Sequence, residues 1–227
     1  MRKYIPSIVT YTTLICGMMA IVQAIKGNLG ISAALVLTGY ILDALDGEIA
    51  RRLNVASPFG LQLDSLVDIV IFGVAAPILV YIHLQNTMIA TWLIWIGILV
   101  FSMAAAFRLA RFNLSVGGGK PRDSTGLTIS TSGAYLTLSV LADRVFNASI
   151  IPDWLFPPIL LILALLMVSR IRFPELTTIF NYRIPSLALL GTGIIAAIWL
   201  TPQLVWFAIT TGYISFGLGR AAYRLLT

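Results

Sequence analysis

Apolar residues fill this chain in long runs, and the runs break at regular intervals. Eight can be marked, at roughly 6–25, 29–47, 61–82, 88–110, 126–146, 154–171, 185–201 and 204–221. Each is close to the ~20 residues with which an α-helix crosses the hydrocarbon core of a bilayer. The breaks are tight or flexible: Gly27-Asn28, Thr201-Pro202, and a glycine- and proline-bearing loop from Val116 to Ser124. Pro58 and Gly60 read as the break between the second and third runs. The pattern predicts an all-α integral membrane protein of about eight transmembrane helices.

Composition agrees. Hydrophobic residues make up 59% of the chain and charged residues 11%, where a soluble domain carries about 25% charged. The N-terminal run follows a basic start but no small-residue cleavage site closes it, so it reads as a first span. With that end in the cytoplasm, every Lys and Arg except Lys26 and Arg144, of fifteen in all, falls on the cytoplasmic side. This asymmetry predicts both termini in the cytoplasm and places 48–60, 111–125 and 172–184 there. The net charge of +6 then reports topology and contact with membrane lipids, and no nucleic-acid partner is expected.

Against that apolar background the stretch Asp43–Asp68 stands out. Asp43, Asp46, Asp64 and Asp68 are four of only nine acidic residues. A carboxylate in hydrocarbon costs about 2.5–3.5 kcal/mol on insertion scales, so a cluster needs a compensating partner. On a helix Asp43, Asp46 and Ala50 form one stripe, with Gly47 beside it and Arg51 at the cytoplasmic end. Asp64 and Asp68, four apart, share a face of the next span. Four carboxylates therefore converge near one interface. Carboxylates that bind Mg²⁺ or Mn²⁺, which in turn bind a diphosphate, are the expected chemistry. Gly47 lets a bulky ligand approach the backbone, Arg51 is placed to meet an anion, and a carboxylate at the rim can take a proton from a hydroxyl. A purely structural ion-pair network and a divalent-cation transport pathway are the competing readings.

The residues Asp43, Asp46, Gly47, Ala50, Arg51, Gly60, Asp64 and Asp68 fit D-x2-D-G-x2-A-R-x8-G-x3-D-x3-D at every fixed position. This pattern resembles the signature of the CDP-alcohol phosphotransferase family. The resemblance implies a membrane enzyme that moves a phosphatidyl-type group from a CDP-linked lipid to an alcohol and releases CMP. It implies two divalent ions on Asp43, Asp46, Asp64 and Asp68, with Asp68 doubling as the base. It places Asp46, Gly47, Ala50, Arg51 and Gly60 around the CDP-lipid, joined by Ser57, and a homodimer is expected.

Three further stretches resemble the phosphatidylserine synthase branch: Ala106–Asn113, Val168–Pro174, and Pro6–Gly17 with its Thr10. They imply L-serine as acceptor. Arg108 and Arg111 share a helix face at the cytoplasmic end of the fourth span and can hold its carboxylate, with Arg170 as a further candidate. Snorkelling to lipid phosphates is the bland reading of the same arginines. A phosphate-bearing acceptor, glycerol phosphate or inositol phosphate, is the alternative within the family. The chain departs from the branch at Ser7 and Thr13 (asparagines), at Thr128 and Ser130 (prolines), and at Arg170 (a smaller polar residue).

The family core is expected over 1–184, followed by two additional helices in 185–227 that serve as scaffold or dimer surface. No metal role is expected for His83, the sole histidine. The tryptophans Trp92, Trp95, Trp154, Trp199 and Trp206 read as an aromatic belt at the outer face.

Overall fold

The computed structural model of the chain describes residues 5–53, 55, 57–115, 123–145, 151–174, 207–217 and 219. Helix α1 (Ile5–Ile25) and α2 (Leu29–Arg52) form an antiparallel pair joined at Gly27, whose φ of 79° suits glycine. A second continuous rod follows. It consists of α3 (Pro58–Asp68), a π-helical segment (Ile69–Ala75) and α4 (Ala76–Leu84). Then come α5 (Thr91–Ser115), α6 (Ile129–Val145), a single 3₁₀ turn (Asp153–Leu155) and α7 (Phe156–Val168). Residues 207–217 form a further helix, α8.

Four of these stretches are long and apolar enough to cross a membrane: Ile5–Ile25, Leu29–Arg52, Pro58–Leu84 and Thr91–Leu114. They match the first four apolar runs of the sequence. Helices α6 and α7 fall in the fifth and sixth runs but are shorter. The seventh run, 185–201, lies outside the described residues, as do Trp199 and Trp206.

The third span begins earlier than its hydropathy suggests. Pro58 opens α3 instead of breaking the chain. Ser57 is extended (φ −137°, ψ 153°), and its Oγ accepts the Gly60 N–H at 3.1 Å as an N-cap. Proline suits the first helical turn because its missing N–H would have had no partner there. The break therefore lies in 53–57, and α2 runs on to Arg52, so that the whole aspartate stripe is helical.

The π segment also has a local cause. Pro77 lacks the N–H that would bond the Gly73 carbonyl four residues earlier, and its ring crowds that carbonyl. The Ser102 hydroxyl from α5 donates to Gly73 O at 2.7 Å and satisfies it. The widened turn carries Ile71 and Phe72, both fully buried. Ile71 fits a slot made by Gly17 of α1 and Gly39 of α2, where a Cβ on Gly39 would overlap its side chain. Phe72 lies against Gly133 of α6. A Cβ on Gly133 would come within 2.8 Å of Phe72 Cβ and 2.9 Å of Phe72 Cα. Backbone on both sides leaves little room to yield. Gly133→Ala is expected to destabilise the protein by about 1–3 kcal/mol, read as a lower unfolding temperature in detergent.

One feature falls outside an all-α expectation. Two three-residue strands, β1 (Asp123–Thr125) and β2 (Arg172–Pro174), pair antiparallel with Thr125 opposite Arg172. Helix α7 stops at Val168, because Ser169 leaves helical geometry (φ −57°, ψ 161°). Arg170 and Arg172 therefore follow the helix rather than lying on it, and Arg170 is exposed. The ladder fastens the chain entering α6 to the chain leaving α7. Exposed Trp92, Trp95 and Trp154 gather where α5 begins and α7 approaches, at the far end of the rods from Asp43 and Asp64. His83 sits at that end too, with Nε2 3.0 Å from Asp143 Oδ2.

Candidate active site

The last three turns of α2 carry Asp43, Asp46, Gly47, Ala50 and Arg51, and the first three turns of α3 carry Gly60, Asp64 and Asp68. The Ser57 cap sets the direction of α3, so the two acidic faces meet. Asp43, Asp64 and Asp68 each offer a carboxylate oxygen, and these oxygens all lie within 4.8 Å of one another. Asp46 stands beside this trio, close enough to interact electrostatically with Asp43. Asp46 and Asp68 are buried, at 5% and 7% exposure.

Hydroxyls from two other helices reach this group. Thr10 Oγ1 on α1 lies 2.7 Å from Asp46 Oδ2, and Ser130 Oγ on α6 lies 3.0 Å from Asp43 Oδ2. Sequence reasoning assigned neither a site role. The available signal was a hydroxyl in an otherwise apolar run, which alone is too common to select them. The start of α6 is itself capped: Thr128 Oγ1 accepts the Thr131 N–H at 3.3 Å. The partially positive end of α6 is thereby aimed toward the carboxylates.

Asp68 Oδ1 is buried and has no hydrogen-bond partner among the described residues. An orphaned carboxylate oxygen beside two more carboxylates is unfavourable unless a cation joins them. Hard oxygen donors at this spacing suit Mg²⁺ or Mn²⁺, so the residues fit a divalent metal site. A second set, His83, Asp143 and Asp153, brings ligand atoms within the same 4.8 Å at the far end of the bundle.

The residues expected around the nucleotide lie in the turns that follow Asp46 on α2 and in those that open α3. Among the described residues a Cβ on Gly47 would meet only Arg51 Nη1, at 3.6 Å, so their packing does not require glycine there. The open surface leaves room for a ligand. Ala50 is half-buried beside it. Arg51 is half-exposed and donates to Glu48 at 2.8 and 3.2 Å. Such an exposed pair is weak and exchanges readily for a stronger anion.

The arginines separate into different tasks. Arg108 is buried, at 7% exposure, and interacts electrostatically with Asp68 and Asp43. Its guanidinium lies 5.3 Å above the Phe112 ring. Tyr213 of α8 is within electrostatic reach of it, so the last described helix closes on the site. Arg111 instead ties down backbone. Its Nη1 donates to Val168 O at 2.8 Å, and its Nη2 to Thr125 O at 2.9 Å, Met167 O at 3.1 Å and Ser169 O at 3.2 Å. These are the carbonyls left open at the end of α7 and the entry to α6. Arg111→Ala is expected to cost about 2–4 kcal/mol of stability, with the serine and CDP-lipid KM values affected alike.

A family model described as CDP-alcohol phosphatidyltransferase matches residues 3–214. The chain belongs to the CDP-alcohol phosphatidyltransferase family. It is 34% identical over 174 residues to the CDP-diacylglycerol–serine O-phosphatidyltransferase of Helicobacter pylori, covering 75% of this chain and 71% of that protein. The Bacillus subtilis protein of the same name is 34% identical over 181 residues, 76% of this chain and 91% of the relative. That of Methanocaldococcus jannaschii is 35% identical over 169 residues, 74% and 72% respectively. With its long apolar helices, this family member is an integral membrane protein, and its acidic cluster can bind a divalent metal.

Proposed function

We propose that the chain is a phosphatidylserine synthase. It transfers the phosphatidyl group of a CDP-linked lipid to the hydroxyl of L-serine and releases CMP. The observation that carries this reading is the meeting of Asp43, Asp64 and Asp68 within 4.8 Å, beside the buried Arg108.

In this reading Asp43, Asp46, Asp64 and Asp68 hold two divalent ions, Mg²⁺ or Mn²⁺. Bound there, the ions neutralise the diphosphate and the departing CMP. The open face of Gly47, with Ala50, Arg51, Ser57 and Gly60, receives the nucleotide, and Arg51 exchanges Glu48 for phosphate. Arg108 holds the serine carboxylate through its planar fork. Asp68 accepts the serine hydroxyl proton on an oxygen that no donor among the described residues occupies. The serine oxygen then forms a bond to the lipid-side phosphorus as the phosphorus–oxygen bond to CMP breaks. Eight spans, cytoplasmic termini, a cytoplasm-facing site and a homodimer belong to the same reading, on the charge asymmetry and the resemblance.

Acceptors that carry a phosphate are disfavoured by how the arginines are used. Arg111 is engaged with carbonyls and Arg170 is exposed, which leaves Arg108 as the buried cation of the described pocket. The test is CMP release by purified protein with CDP-diacylglycerol, Mg²⁺ or Mn²⁺, and a panel of alcohols. Release that requires both L-serine and metal is the expected result. Release with glycerol 3-phosphate but not serine would replace the acceptor, and no release with any alcohol would overturn the reading.

A further inference from the structure

We infer that Thr10 and Ser130 are positioning residues that hold the two carboxylates of α2 ready for a divalent ion before it arrives. The inference rests on the metal-binding role proposed above for Asp43 and Asp46.

Thr10 is distinguished by comparison with its neighbours on α1. Thr10, Thr12 and Thr13 all lie near the carbonyl four residues back, at 3.0, 2.9 and 3.2 Å. That contact is the default for a helical threonine. Among the described residues only Thr10 has a second acceptor in reach, Asp46 Oδ2 at 2.7 Å, on another helix and 36 residues away. Its single hydroxyl proton serves one acceptor at a time. The shorter contact, to a carboxylate, is the stronger because the acceptor is charged. Thr10 is 4% exposed, so water does not compete for it.

Ser130 repeats the logic from the other side. Its neighbour Ser132 bonds back to Thr128 O at 2.9 Å. Ser130, second residue of α6, has no helical carbonyl four residues behind it and reaches Asp43 Oδ2 at 3.0 Å, 87 residues away.

The two contacts have a common result. Asp43 and Asp46 lie three residues apart on α2, and each has its Oδ2 bound by a hydroxyl from a different helix. The terminal torsion of aspartate is otherwise broad. Fixing it holds each carboxylate in one orientation, that of Asp43 with an oxygen inside the 4.8 Å group, and partners of this kind typically change metal affinity by 10–100-fold.

The experiment measures Mn²⁺ binding to the full-length protein in detergent without substrate, from loss of the free-ion electron paramagnetic resonance signal. Thr10→Val removes the hydroxyl at nearly constant volume and Ser130→Ala removes the other. Each is expected to raise the Mn²⁺ Kd by roughly tenfold or more. Thr10→Ser, which restores the hydroxyl, is expected to stay within about threefold of the native protein. Native-like Mn²⁺ affinity in Thr10→Val and Ser130→Ala would overturn the inference, as would equal losses in Thr10→Val and Thr10→Ser, which would indicate packing. Asp64→Asn separates the two levels. If it weakens Mn²⁺ binding while the hydroxyl variants do not, the site stands and the positioning role falls. If neither it nor the hydroxyl variants change Mn²⁺ binding, or the native protein binds no Mn²⁺, both fall.

Discussion

Asp68→Asn is expected to lower serine-dependent CMP release by about 10³-fold or more. The substitution keeps the shape and removes both the charge and the proton acceptor. Asp68 sits at the last turn of α3, buried, with Oδ1 facing no donor among the described residues, and shares a 4.8 Å group with Asp43 and Asp64. Loss of activity alone would not separate catalysis from folding, so stability supplies the second readout. In the absence of metal, removing one of several clustered negative charges relieves repulsion. The unfolding temperature of Asp68→Asn without metal is therefore expected to equal or exceed that of the native protein. A divalent ion at 100 times its Kd stabilises the native state by about 2.7 kcal/mol, and that increment is expected to shrink in the variant. Full activity in Asp68→Asn would remove it from the chemistry. A metal-free protein that unfolds at a much lower temperature would instead mark Asp68 as structural.

The aspartates were legible in the sequence because two local rules coincide there. Helical spacing puts Asp43 with Asp46, and Asp64 with Asp68, on single faces, and charge is scarce in apolar runs. What could not be read depends on contacts between distant parts of the chain. Thr10 and Ser130 meet α2 across 36 and 87 residues, and no periodicity encodes that. Arg111 looked equivalent to Arg108 because the two are one turn apart. Only the return of α7, ending at Val168, shows that Arg111 is held by carbonyls while Arg108 faces the aspartates. Pro58 was misread for a different reason. Proline stops a helix from within but starts one at its first turn, and the choice depended on Ser57 acting as a cap. The π segment follows from Pro77 together with a hydroxyl from α5, and hydropathy is blind to both.

Arg108→Gln is expected to lower kcat/KM for serine by roughly 100-fold, mostly through KM, while the KM for the CDP-lipid changes much less. The argument begins with burial. A guanidinium at 7% exposure needs anionic partners, and Arg108 has Asp68 and Asp43 within electrostatic range. Drawing those carboxylates onto divalent ions lets the guanidinium turn toward another anion at the same place. Phe112 beneath it fixes the plane of the fork. Arg108→Lys keeps the charge but loses the planar pair of donors, so it is expected to recover only part of the serine affinity. Mn²⁺ binding distinguishes this role from damage to the metal site. Taking a cation away from beside the carboxylates leaves the Mn²⁺ Kd unchanged or lower, whereas loss of a metal ligand raises it. Equal increases in both substrate KM values, with Mn²⁺ affinity unchanged, would move Arg108 from the acceptor to the diphosphate. The preference for serine would then have to come from groups other than the arginines of α5.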